Sequence, residues 1–294
     1  VTLRALIFAS LLVLCAAAPA HAADTADTAL RTFDKTDIGT LDGYRDRVAW
    51  TEANGTLWTV EAGAAVQVDV KRVDGIDVAA GPDGRPVAVY ERGSKFYLYD
   101  FAAKRERRIK SPGKVQNWAF WKDRFAVIRD GRLQIVPQGG KARDVGRAKS
   151  LAGNSIDFNG VGVAYVNEFI RDDEDVEEFE LAYWPATGPG AGRIVMRVAH
   201  GASGDTSLAG AVLSPTKAYA TQRGGEFGGP YRLWRVDLKS GKKHYAGLPA
   251  GANLAVPLGA EQAVAYVCPP EDDFDEDDAE QPCRLILRSV TWRR

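Results

Sequence analysis

Nucleophilic hydrolysis needs a base beside the nucleophile, most often histidine, and the 294-residue chain holds three: His21, His200 and His244. The nearest approach to a serine-hydrolase elbow is Gly201-Ala202-Ser203-Gly204-Asp205, beside His200. It lacks the Gly-x-Ser-x-Gly spacing and the strand-to-helix setting that exposes such a serine. It reads instead as a Gly/Ser loop between elements. A Gly-rich phosphate loop with a lysine is also absent from the sequence. No catalytic residue can be named on these grounds.

Two acidic runs carry more information. Residues 171–180 read RDDEDVEEFE and residues 271–280 read EDDFDEDDAE, and together they hold 15 of the 39 Asp and Glu residues. The formal net charge of −1 therefore hides two acidic segments on a basic remainder. Such a separation can steer a partner, although salt screens it beyond about 10 Å.

Three readings compete for these runs. Blocks of like charge are commonly solvated loops. The second reading is a partner-binding rim of Asp172, Asp173, Asp175, Phe179 and Phe274, joined by Arg223 and Tyr231 from the intervening loop 223–231. The third is calcium: Asp272, Asp273, Asp275 and Asp277 offer oxygen ligands at alternating spacing, without the Gly-containing EF-hand pattern. Calcium is the one cofactor this pattern leaves open.

The basic cluster Lys104-Arg105-Glu106-Arg107-Arg108-Ile109-Lys110 is too narrow for the stripe that a nucleic-acid partner requires. It reads as a hairpin between outer strands, where Lys and Arg discourage unwanted pairing. Trp50, Trp58, Trp118, Trp121 and Trp234 lie in apolar strands and read as packing between repeats.

The elements that must position these residues repeat along the chain. A short apolar strand with a central Ala recurs at 48–50, 87–89, 125–127, 163–165, 218–220 and 264–266. A second strand follows each, as in Leu57-Trp58-Thr59-Val60 and Leu233-Trp234-Arg235-Val236. A polar turn and a third strand come next, and a less regular strand precedes each unit, as at 75–80. Four strands per repeat of roughly 40 to 50 residues match a propeller blade. The expected fold is an all-β propeller of about six four-stranded blades forming a single domain over residues 23–294.

The last unit lacks an outermost strand after Trp292-Arg293-Arg294. The segment Ala29 to Asp37 is predicted to supply it by pairing with residues 285–292, which would close the ring and remove an exposed edge. Both acidic runs fall in hairpins between the second and third strands of their units, so the propeller should carry them on one face.

Residues 1–22 have the layout of a secretory signal: Arg4, an apolar run from Ala5 to Ala18, Pro19, and then Ala20-His21-Ala22. Cleavage is expected after Ala22. Lipidation at Cys15 would want a small residue where Leu14 stands. No later stretch is apolar enough to cross a bilayer, so the expected product is a monomer, secreted or periplasmic. In that oxidising setting Cys268 and Cys283 are expected to form a disulfide. A zinc site would need more ligands than this pair supplies.

With the units laid out, a resemblance emerges. The segment from Ala79-Ala80-Gly81-Pro82-Asp83-Gly84 to Val89, and less fully Leu213-Ser214-Pro215-Thr216-Lys217-Ala218-Tyr219, resembles the Ser-Pro-Asp-Gly turn and strand of TolB-type six-bladed propellers. Tyr231 to Lys242 is similar to the strand and Asp-Leu-x-x-Gly turn that follow in those repeats. The resemblance implies a propeller fold, an envelope or periplasmic setting and protein binding, with no catalytic residues to carry over. Signatures of WD, kelch and sialidase-type repeats are missing. The expected role is thus a non-enzymatic propeller that binds a protein or envelope partner through its acidic, loop-rich face. The alternative is a carbohydrate- or metal-dependent hydrolase or lyase on the same fold, which would require carboxylates to converge in the central funnel.

Overall fold

The computed structural model describes residues 27–33, 38–147, 156–171, 176–186, 192–199, 207–224, 231–268 and 282–294. The first strand, β1 (Thr28–Phe33), precedes blade 1, which comprises β2 (Ile38–Tyr44), β3 (Arg47–Glu52), β4 (Leu57–Glu61) and β5 (Ala64–Gln67). Blade 2 is β6 (Gly75–Ala80), β7 (Pro86–Arg92), β8 (Lys95–Asp100) and β9 (Arg105–Ile109). Blade 3 is β10 (Asn117–Trp121), β11 (Arg124–Arg129), β12 (Arg132–Pro137) and β13 (Arg143–Arg147). Blade 4 is β14 (Ile156–Phe158), β15 (Gly162–Arg171), β16 (Val176–Pro185) and β17 (Arg193–Ala199). Blade 5 is β18 (Ser207–Leu213), β19 (Lys217–Arg223), β20 (Arg232–Asp237) and β21 (Lys243–Gly247). Blade 6 is β22 (Ala252–Leu258), β23 (Gln262–Val267) and β24 (Cys283–Ser289), completed by β1.

The protein is therefore an all-β propeller of six four-stranded antiparallel blades. Each second strand carries the recurring Ala, and Ala49, Ala88, Ala126, Ala164, Ala220 and Ala265 are all buried. A small residue there lets neighbouring blades approach while flanking Val, Phe and Tyr fill the space between them. Two turns carry the family-like pattern. In the first, Asp83 Oδ1 accepts Arg85 N–H while Gly84, at φ +82°, donates to Gly81 O. In the second, Asp237 Oδ1 accepts from Lys239 and Ser240 N–H, and Gly241 adopts φ +72°. Both glycines sit in the left-handed region that the turn demands.

Ring closure follows the expectation. β1 pairs antiparallel with β24 from Thr28↔Leu287 to Phe33↔Cys283, with a bulge between Ala29 and Arg31. Phe33 packs edge-on against Tyr266, with ring centroids 5.8 Å apart. Arg31 reaches into blade 1, where its Nε lies 2.5 Å from Glu52 Oε1 and its guanidinium sits 4.1 Å from the Trp58 ring centroid. One strand thus completes blade 6 and ties it to blade 1. The Cys268–Cys283 disulfide stands beside this seam, joining the residue after β23 to the start of β24.

The first acidic run is only partly a loop. β15 and β16 form a ten-residue hairpin ladder from Gly162↔Pro185 to Arg171↔Val176, so residues 176–180 of that run are strand. Arg197 on β17 makes this tolerable: its Nη2 lies 2.5 Å from Glu180 Oε1 and its Nε 3.4 Å from Glu178 Oε2. Both carboxylates are buried against a cross-strand guanidinium, so a run of like charge acts as a structural ion pair.

The basic cluster occupies β9, the outer edge of blade 2, with residues 105–108 exposed. Trp50 is fully buried and stacks with Trp58, while Trp121 packs edge-on against Tyr44 across two blades. The signal-like residues 1–22 lie outside the described residues.

Candidate functional site

A cavity of about 700 Å³ opens at the ring centre, on the face where the innermost strands begin. Its wall is built from the first residues of β2, β6, β10 and β18, and its mouth from Glu91, Glu168 and Arg223 near the ends of second strands. Second-to-third hairpins leave from the same face. The β15–β16 and β23–β24 connections, within which the sequence places the acidic runs, therefore have their described ends on the funnel's face.

Three buried aspartates join blades: Asp42 and Asp77, which line the funnel, and Asp157, which does not. Asp42 Oδ2 accepts Val78 N–H at 2.5 Å, linking blade 1 to blade 2. Asp77 Oδ2 accepts Phe120 N–H at 2.6 Å, linking blade 2 to blade 3. Asp157 accepts the amides of Phe158, at 2.5 Å, and of Leu213, linking blade 4 to blade 5. Thr221 does the same for blades 5 and 6, accepting Ala255 N–H at 2.8 Å and donating to Ala255 O at 3.1 Å. Burial pushes Asp42 up to about 6. Asp77 and Asp157 are raised well above the ordinary carboxylate range, first by burial and then by the charge of Asp42. Asp77 also hydrogen-bonds Asp42, so this pair shares a proton where exposed aspartates would both be ionised.

The mouth is different in character. Glu91 is half-buried and raised by burial and by the nearby charge of Asp74, which also lines the cavity. Glu168 is half-buried on blade 4. Arg223, on blade 5, donates Nε–H to Asn253 O at 2.8 Å, and burial lowers its guanidinium. Trp118 and Phe179 are the aromatic members of a wall that also carries aliphatic side chains such as Ile76, Leu208 and Leu254.

The rim residues expected from sequence therefore separate. Arg223 lines the funnel, Phe179 is buried at its wall, and Tyr231 is half-buried against the core shared by blades 5 and 6. Phe179 thus faces inward, because strand pairing with Val198 on β17 and with Glu168 on β15 carries it into the sheet. Asp172, Asp173, Asp175 and Phe274, and the calcium candidates Asp272, Asp273, Asp275 and Asp277, lie outside the described residues. Among the described residues no cluster of three or more His, Cys, Asp or Glu side chains has the arrangement of a metal site.

Sequence reasoning missed Asp42, Asp77, Glu91, Asp74 and Glu168, carboxylates outside the acidic runs that converge in the funnel. One signal was available: an isolated Asp in an otherwise apolar first strand, as in Gly75-Ile76-Asp77-Val78-Ala79-Ala80. Trp118 was likewise read as packing alone, whereas it also lines the cavity.

The fold and site define a six-bladed β-propeller with a polar central funnel. No family model matches the chain, and no curated protein matches its sequence. Several solved structures align with the chain. A PQQ-bound aldose sugar dehydrogenase from Streptomyces coelicolor aligns over 90% of this chain and 98% of its own, at 14% identity and a TM-score of 0.49. A chain of a mitotic checkpoint complex aligns over 90% and 96%, at 13% identity and TM-score 0.47. A chain of a nidogen/laminin complex aligns over 70% and 78%, at 12% identity and TM-score 0.44. At these identities and TM-scores nothing is carried over to this chain.

Proposed function

We propose that the protein is an exported, non-enzymatic propeller that binds a protein or envelope partner through its funnel-bearing face. The observation that carries this reading is the funnel itself: about 700 Å³, with Glu91, Asp74 and Glu168 at a mouth on the face where the acidic connections emerge. That volume falls within the range of ligand sites, and a mouth rich in carboxylates selects for partners that present cationic groups. The exported setting rests on the signal-like first 22 residues and on the Cys268–Cys283 disulfide. The TolB-like turns at Pro82-Asp83-Gly84 and Asp237 to Gly241 are in keeping with an envelope role.

A hydrolase is the second reading, favoured by the raised Asp42 and Asp77 on the funnel floor. Their geometry argues against it. Each spends an oxygen on a backbone amide of the next blade, and Asp157 repeats the device without lining the cavity. Repetition at related positions of several blades marks a staple between strands. The described residues lining the funnel include no His or Cys.

The test is affinity capture from an envelope extract with residues 23–294, beside a Glu91→Gln/Glu168→Gln variant. Partners held by the wild-type bait should be lost or strongly reduced with the variant, and more so at high salt. Equal recovery by both baits would remove the funnel mouth as the binding site.

A further inference from the structure

The funnel mouth contains a cation, Arg223, that has no carboxylate partner among the described residues. Arg223 lines the cavity, and its Nε is held by Asn253 O, which leaves the two Nη groups free to meet a ligand. Among the described residues it forms no ion pair, and burial alone lowers its guanidinium, with no carboxylate pulling it back. Keeping a half-buried guanidinium without a counter-ion is costly, and the usual remedies are pairing or full exposure. A cation retained in this way beside a cavity suits an anion brought by the ligand.

The opposite wall has the opposite sign. Consecutive blades are neighbours around the ring and blade 6 touches blade 1, so blade 5 stands across the channel from blade 2. Arg223 belongs to blade 5, and Asp74 and Glu91 to blade 2. The Glu91 carboxylate has no hydrogen-bonded or ionic partner among the described residues, and it is raised by burial and by Asp74. Between these poles the wall includes Trp118 on blade 3, Glu168 and Phe179 on blade 4 and Leu254 on blade 6.

We propose that the funnel seats a small zwitterion of di- to tripeptide size, its carboxylate on Arg223 and its ammonium group toward Glu91 and Asp74. This deepens the partner-binding reading above and rests on it, by naming the chemistry that enters the cavity. A guanidinium with two free Nη groups matches the two oxygens of a carboxylate. A ligand with only a positive end meets Arg223 unpaired, and one with only a negative end meets the Glu91 and Asp74 side. Discrimination therefore comes from leaving a half-buried charge uncompensated, which is the strong form of specificity. The cavity of about 700 Å³ accommodates a tripeptide and excludes a folded chain.

The probes are trialanine, N-acetyl-trialanine and trialaninamide, which present both charges, the carboxylate alone and the ammonium alone. Binding is read by calorimetric titration and by amide shifts in NMR spectra of residues 23–294. Trialanine should bind at least tenfold more tightly than either capped form. Arg223→Gln should bring trialanine down to the affinity of the amide while leaving the amide unchanged, and Arg223→Lys should restore part of the difference. Glu91→Gln should erase the preference over the acetylated form in the same manner. Unchanged melting temperatures show that the variants remain folded. Equal binding of the three probes, no binding of any, or a preference that survives Arg223→Gln would overturn the proposal. If trialanine fails while the Glu91→Gln/Glu168→Gln bait still loses its captured partners, the zwitterion falls and the partner-binding face stands.

Discussion

Replacing Asp77 by asparagine should make the protein more stable at pH 7.5 and leave it unchanged at pH 4. Asp77 is buried on the funnel floor, accepts Phe120 N–H at 2.6 Å and hydrogen-bonds Asp42. Burial and the Asp42 charge raise it well above the ordinary carboxylate range, so it holds its proton in the folded chain. The unfolded chain loses that proton near pH 4. Between these points the folded state binds more protons, and stability falls as pH rises. Asp42 sets the scale, since burial lifts it from 3.8 to about 6. At about 1.4 kcal/mol per pH unit, that displacement removes about 3 kcal/mol between pH 4 and pH 7.5 through Asp42 alone. Wild type should lose more than this, because Asp77 adds to it.

An asparagine at position 77 reproduces the protonated acid: its carbonyl accepts Phe120 N–H and its amide donates to Asp42. The variant should keep only the Asp42 share of the pH dependence. Urea unfolding of both proteins at pH 4, 5.5, 6.5 and 7.5 measures it, with the difference between them isolating the site. Carboxylates held low, such as Asp144 by Gln134 and Asp237 by Ser240, cancel in that difference. An Asp77→Asn protein less stable than wild type at pH 7.5, or one with the same slope, would refute the shared-proton account.

Two further outcomes follow from the closure and from the acidic hairpin. Removing the disulfide with Cys268→Ala/Cys283→Ala should cost about 3 kcal/mol in urea unfolding, given a cross-link over 15 residues. Full retention of stability would show that β1 pairing alone secures the seam. Replacing Arg197 by methionine strands Glu180, which is 1% exposed, without its guanidinium. Because Arg197 is half exposed, the cost should be about 2 kcal/mol, below that of a fully buried pair. A Glu178→Gln/Glu180→Gln/Arg197→Met protein should recover part of it, which thermal melts can follow.

The propeller was legible because its cause is local and repeated. A central Ala flanked by Val, Phe or Tyr recurs with strand periodicity, and each recurrence became a second strand buried on both faces. The disulfide and the closing strand were legible as bookkeeping, since two cysteines and one missing edge each demanded a partner. The acidic run at 171–180 was misread as loop throughout, because like charges in sequence argue for solvation until an arginine 17 or more residues away is brought opposite them. The funnel escaped notice for a similar reason. Asp42, Asp77, Glu91 and Arg223 each stand alone in an unremarkable strand and belong to three different blades.

The sequence by itself determined the class of fold, the number of blades and the way the ring is sealed, because strand alternation, turn chemistry and the count of edges act over short distances. Only the tertiary structure decided where charge meets charge. Closing six blades on an axis brings residues as far apart in sequence as Gly39 and Val256 to one cavity, and there burial sets which carboxylates keep their protons and which guanidinium is left without a carboxylate partner among the described residues.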